Sequence, residues 1–121
     1  MRVLVTGHCG MIGSVVTEVL ADEGHEVSGF DLADGDDVLD VAAVERAALG
    51  CGAIVHLAAI PSDSSDTPER IMATNVLGTW HVLLAAQENG VRRVVNMSSG
   101  QVLGVAEGAR APDYLPLDDR H

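Results

Sequence analysis

Short β-branched runs alternate along this chain with longer stretches whose apolar residues recur every three or four positions. Arg2 to Thr6 (RVLVT) predicts a buried strand that Gly7 ends. Ile12, Val15, Val16, Val19 and Leu20 fall on one helical face between Ile12 and Glu23, and Gly24 stands where a helix stops. Glu26 to Phe30 predicts a second strand, followed by the acidic turn Asp34-Gly35-Asp36-Asp37. Asp40 suits the N-cap of a helix reaching about Leu49, closed by Gly50 and Gly52. Ala53 to Ala58 (AIVHLA) is apolar enough for a strand covered on both faces. After a polar loop from Pro61 to Asp66, Asp66 is expected to cap a long helix, with Pro68 near its start and Asn89-Gly90 at its end. Val91 to Met97 (VRRVVNM) predicts a fourth strand, and from Gly100 the chain turns loop-like.

Strands separated by helices and short connections predict an α/β fold with a parallel sheet and right-handed crossovers. Composition agrees. Of 121 residues, 47% are hydrophobic, yet Phe30, Trp80 and Tyr114 are the only aromatics, so Val, Leu, Ile and Ala must build the core. Seven arginines, no lysine and eighteen carboxylates give a net charge of -11. A surface that negative repels phosphate backbones and anionic lipid, which argues against nucleic-acid and membrane partners. Cys9 and Cys51 are too few for a disulfide framework and lack metal-ligand spacing, so no metal site is expected. With no signal-peptide pattern and no long apolar run, the expected location is cytoplasmic.

Chemistry concentrates in Thr6-Gly7-His8-Cys9-Gly10-Met11-Ile12-Gly13, between a predicted strand and a predicted helix. Gly7 permits the tight turn out of the strand, Gly10 lets the backbone approach a pyrophosphate, and Gly13 lets the helix pack closely on the sheet. Unpaired amides at the helix start, from Met11 and Ile12 onward, would face the phosphates. Asp31, ending the second strand, is placed to accept hydrogen bonds from an adenosine ribose and would repel a 2′-phosphate. The order of strand, glycines, helix, strand and acid favours NAD over NADP as the cofactor.

From Met1 almost to His121 the chain resembles the extended short-chain dehydrogenase/reductases, the NAD-dependent epimerase/dehydratase group. Thr6 to Gly13 is similar to the family's TGxxGxxG, Asp37-Val38 to its adenine-contacting acid–hydrophobic pair, His56-Leu57-Ala58-Ala59 to HxAA, and Asn75 to Thr79 to NxxGT. The resemblance implies a Rossmann-type doubly wound sheet with strand order 3-2-1-4. It also implies a dinucleotide held by Gly7, Gly10, Met11, Ile12, Gly13, Asp31, Asp37, Val38, Leu57, Ala58, Ala59 and Asn75. On physical grounds, Asn75 in mid-helix suggests that its amide ties strand ends to the cofactor loop, and Gly78 suggests close packing. His56 reads as a satisfied core histidine, His8 and Cys9 as loop fillers, and His25, His81 and His121 as ungrouped.

Ser98-Ser99-Gly100-Gln101-Val102-Leu103-Gly104 follows the fourth strand and resembles the family's SSxxVYG, which makes Ser99 the expected catalytic serine. A serine capping a turn is the plainer alternative. Gly100-Gln101 replaces the acidic pair of the dehydratases, and neither side chain ionises, so dehydration is disfavoured. Leu103 in place of the usual tyrosine resembles uronate dehydrogenase relatives. The family's YxxxK pair is absent: the one tyrosine, Tyr114, is followed by Asp118, and there is no lysine. The resemblance therefore implies the NAD-binding half of a sugar or sugar-nucleotide epimerase or dehydrogenase, truncated before its catalytic pair and inactive alone. A non-catalytic dinucleotide-binding regulatory module and an inactive gene fragment remain as alternatives. An unpaired fourth strand, or the long helix, would favour self-association.

Overall fold

A computed structural model describes residues 1–61, 66–103, 111–115, 117–118 and 120. Four parallel strands, β1 (Arg2–Thr6), β2 (Glu26–Phe30), β3 (Ala53–His56) and β4 (Arg93–Asn96), form one sheet in the order β2-β1-β3-β4. Val3 pairs with Val27 on one side and Ala53 on the other, and Ala53 pairs with Arg93. The parallel, doubly wound class stands, but the expected order 3-2-1-4 does not. Polarity explains the difference. β2 (EVSGF) carries Glu26, Ser28 and Gly29 and is suited to an edge. In β3, Ile54 and His56 are buried, which suits an inner position beside β1. Between β2 and residue 40 the chain folds on itself and offers no strand to lie outside β2.

Because the first crossover moves from β1 to one side and the next returns past β1 to the other, right-handed connections place their helices on opposite faces. Helix α1 (Met11–Asp22) packs on β1 and β2. On the other face, α2 (Val41–Ala48) packs on α4 (Thr79–Glu88), which also touches β3. The main core lies there, with Leu4 and Ile54 from the sheet meeting Val44, Ala48, Val82 and Ala85 from the helices. On α1 only Gly13 is buried, while Ile12, Val15 and Val19 are exposed.

Local signals set several boundaries. Asp31 caps a 3₁₀ turn over Leu32–Asp34, and Gly35 ends it in the left-handed region at φ 90°. Asp40 caps α2 through the Ala43 amide. The long helix starts one residue later than expected: Thr67, not Asp66, accepts the Arg70 amide, and Pro68 takes the first helical position. It is also interrupted. Between α3 (Pro68–Met72) and α4, residues Ala73–Gly78 form a π-helical turn, the wider winding common where a helix serves a site. β3 stops at His56 rather than Ala58, and Gly100–Leu103 forms a 3₁₀ turn instead of plain loop. Most of the polar loop (62–65), Gly104 and parts of the tail lie outside the described residues.

Candidate functional site

All strands of a parallel sheet end on the same side, and two adjoining cavities open there. Both are walled by Gly7, Gly10, Leu57, Ala58 and Ala59. The first, about 460 Å³, extends over Asp31, Asp37 and Val38. The second, about 650 Å³, reaches Met11, Ile12, Gly13, Asn75 and Ser99. Every residue singled out from sequence for the cofactor or for catalysis therefore faces one continuous groove.

The glycines shape its floor. Gly7 leaves β1 at φ 73°, and a Cβ there would lie 2.7 Å from the Ala58 nitrogen. A Cβ on Gly13 would lie 2.0 Å from the Gly7 carbonyl oxygen, so only glycine lets α1 start against the turn. Gly10 caps α1 without a side chain, and no acidic residue stands in the first helical turn. Helical geometry leaves the Met11, Ile12 and Gly13 amides without intrahelical acceptors. Their positive end of the helix dipole faces the groove.

Asp31 is held rigidly. One carboxylate oxygen accepts the Ala33 amide at 2.9 Å and the other the Cys9 amide at 3.0 Å, which ties the end of β2 to the glycine turn. Asp37 accepts the Leu39 amide at 2.9 Å and pairs with Arg70 at 3.1 Å. Val38 lies beneath the groove, buried, and a Cβ on Gly78 would sit 2.6 Å from its Cγ2. The close packing expected of Gly78 is thus against Val38. His81 adds a 2.9 Å contact from Nδ1 to the Val38 carbonyl, so its Nδ1–H donates. Thr74, buried and facing the first cavity, has a hydroxyl with no hydrogen-bond partner among the described residues. An orphaned hydroxyl and Asp31 lining the same cavity, next to a side-chain-free helix start, fit an adenosine diphosphate.

Under the second cavity runs a directed chain of hydrogen bonds. The Thr6 hydroxyl oxygen accepts the Leu57 and Ala58 amides, both at 3.2 Å, so its proton goes to His56 Nδ1 at 2.6 Å. His56 Nε2–H then donates to Thr79 at 3.0 Å, and Thr79 donates to the Asn75 carbonyl at 2.8 Å. This assigns His56 a single neutral tautomer. Burial lowers its pKa below the ordinary 6.5. His56 is the satisfied core histidine that the sequence suggested. Asn75 clasps the backbone of Ile60, donating to its carbonyl at 2.9 Å and accepting its amide at 2.8 Å. It acts by positioning the segment after β3.

Ser99 faces the second cavity and also accepts the Gln101 amide at 3.2 Å, so the site position and the turn cap coincide in one residue. Tyr114 borders neither cavity; its hydroxyl donates to Asp118, and that bond raises the phenol pKa. A neighbouring lysine would do the opposite.

Sequence reasoning missed three groups. Arg70 neutralises Asp37, Thr74 offers its hydroxyl, and His8 and Cys9 are more than fillers. His8 Nε2 lies 2.7 Å from Asp34, and the Cys9 thiol 3.8 Å from the same carboxylate. Partial loss of solvent, then the charges of Asp34 and Asp31, raise the Cys9 thiol pKa. None of these left a trace in the sequence, because each contact joins segments distant in the chain.

Topology, glycine turn and groove together define a Rossmann-type dinucleotide-binding unit. The model of the NAD dependent epimerase/dehydratase family matches residues 3–120, and the chain belongs to that family. It is 35% identical over 138 residues to the 3 beta-hydroxysteroid dehydrogenase/Delta 5-->4-isomerase of Mycobacterium tuberculosis, covering 98% of this chain and 37% of that protein. It is 34% identical to the uronate dehydrogenase of Pseudomonas syringae pv. tomato, covering 85% of this chain and 41% of that protein. A solved short-chain dehydrogenase/reductase superfamily protein from Agrobacterium tumefaciens, with bound NAD, superposes at TM-score 0.85 and 36% identity, covering 100% of this chain and 38% of that one. The chain spans about two fifths of the length of these proteins.

Proposed function

We propose that this chain is the NAD-binding portion of an oxidoreductase or epimerase that acts on a carbinol carbon of a sugar, sugar acid or sugar nucleotide. One observation carries the reading: the glycine turn, Asp31, Asp37-Val38, Leu57 to Ala59, Asn75 and Ser99 converge on one groove at the carboxyl end of the sheet. The Met11, Ile12 and Gly13 amides take the diphosphate, Asp31 the adenosine ribose, and the Asp37-Val38 wall the adenine. Among the described residues, Asp36 and Asp66 join Asp31 and Asp37 around the first cavity against Arg70 alone, which disfavours the extra phosphate of NADP. Bound NAD supplies the hydride acceptor for the reaction. Ser99 orients the reacting hydroxyl through a hydrogen bond. Leu103 and the uronate dehydrogenase relative support a sugar-acid substrate, and the steroid dehydrogenase relative shares the same secondary-alcohol chemistry.

These 121 residues contain no lysine, and Tyr114 is engaged with Asp118, so the proton transfer assigned to a tyrosine–lysine pair is not supplied here. The chain alone accordingly binds NAD and turns nothing over. The missing lysine equally supports a second reading, a non-catalytic dinucleotide module; Ser99 in the groove favours the first. Exposed Val95 on β4, Met97 just after it, and Trp80 on α4 are read as self-association surfaces. Calorimetric titration with NAD and NADP tests the cofactor. NAD is expected to bind more tightly, and Asp31→Asn to lose about 10- to 100-fold in NAD affinity as charge-assisted hydrogen bonds vanish. Equal binding of both dinucleotides by Asp31→Asn and the unaltered chain would refute the site. Steady NADH formation from a uronate by this chain would refute the inactive reading.

A further inference from the structure

At the outer rim of the groove, the glycine turn and the 3₁₀ turn after β2 bring three different metal-ligating side chains together. His8 Nε2, the Cys9 thiol and an Asp34 carboxylate oxygen all lie within 4.8 Å of one another. The separations are 2.7 Å from His8 to Asp34, 3.5 Å from Cys9 Sγ to His8 Nε2, and 3.8 Å from Cys9 Sγ to Asp34. We propose that His8, Cys9 and Asp34 form a binding site for a borderline divalent cation of the zinc class, with a further coordination position open to water.

Ligand chemistry selects the ion. One thiolate, one imidazole and one carboxylate suit zinc or cobalt(II), whereas magnesium and calcium take oxygen ligands. Zinc sits about 2.0–2.3 Å from such atoms, which spaces tetrahedral ligands by roughly 3.3–3.8 Å. Both sulfur distances already meet that spacing. The His8–Asp34 pair, now at hydrogen-bonding distance, has to open by roughly 0.6 Å. Asp34 is about half exposed and has room to do so. Chain architecture fixes the other two ligands. Cys9 is anchored through its amide to Asp31. The His8 ring lies over Gly29 of β2, where a Cβ would come within 2.5 Å of Nε2. Glycine at 29 thus makes a seat for the imidazole in the middle of a strand, a position where glycine otherwise weakens the sheet. A strongly acidic molecule further favours a cation.

Cobalt(II) tests the site directly, because only a thiolate ligand produces a sulfur-to-cobalt charge-transfer band in the near ultraviolet. The reduced, chelator-washed chain titrated with cobalt(II) is expected to develop that band, saturate at a single ion, and lose the signal when zinc is added. Cys9→Ser is expected to abolish the band, whereas Cys51→Ser, at the buried cysteine, keeps it. Gly29→Ala displaces the ring without removing a ligand and is expected to weaken binding by about 10- to 100-fold. Circular dichroism confirms that each variant is folded. No band from the folded chain, a band that survives Cys9→Ser, or one lost in Cys51→Ser overturns the proposal. The readout needs no dinucleotide, so it stands or falls apart from the NAD reading.

Discussion

A methyl group at residue 13 would land 2.0 Å from the Gly7 carbonyl oxygen, with backbone on both sides and no flexible side chain to yield. Gly13→Ala should therefore destabilise the chain by at least about 3 kcal/mol and remove NAD binding, because the start of α1 moves off the turn. Gly24 offers the matching control. Unlike Gly13, which is helical, it has a positive φ, at 80°, and nothing lies within 4 Å of a Cβ there. Gly24→Ala should lose only about 1–2 kcal/mol and leave NAD affinity unchanged. Thermal melts and calorimetry on both variants separate close approach from conformational freedom. His56 makes a second prediction at this scale. Its pKa is lowered by burial, so the unfolded chain takes up the proton first. The stability this neutral histidine supports is complete above the ordinary value of 6.5 and declines as pH falls below it. Melting temperatures across that window should fall for the unaltered chain and change less for His56→Gln. Parallel slopes would contradict the assignment. At this scale the glycines and Asp31 were legible because each answers a local backbone or charge requirement. The His8–Asp34 contact and the orphaned Thr74 hydroxyl were not, since both depend on segments distant in the chain.

Helices and strands depend more on their neighbours. Asn75 weakens a helix by its own propensity, yet its amide closes two hydrogen bonds to Ile60 across the groove. Asn75→Ala should cost about 1–3 kcal/mol by leaving the Ile60 backbone unpaired. Hydrogen exchange should then speed at the Ile60 amide before it does so in α4; uniform acceleration would contradict a local clasp. The π-helical turn holding Asn75 escaped the sequence reading because its apolar spacing is continuous with α3 and α4. The strand order escaped it for a related reason. Periodicity announces a strand, but which strand lies beside it depends on relative polarity, and the acidic stretch after Asp31 coils under its own side-chain hydrogen bonds instead of pairing. Parallel architecture and the glycine-led crossover were legible because alternating strands and helices leave few other packings.

As a whole, the molecule is acidic, and among its described residues it leaves one side of β4 unpaired. No described helix is long and apolar enough to cross a membrane. Charge repulsion opposes association, but exposed Val95, Met97 and Trp80 supply apolar area that favours it. Sedimentation velocity should show concentration-dependent self-association that strengthens as salt screens the charge. A monodisperse monomer at every salt concentration would contradict that expectation. The central claim concerns where the dinucleotide sits, and it is tested most directly by following backbone amide resonances while NAD is added. Signals from Gly10 to Gly13, together with Asp31, should shift first and saturate together. If those signals stay still while others move, the diphosphate is held elsewhere and the account is wrong.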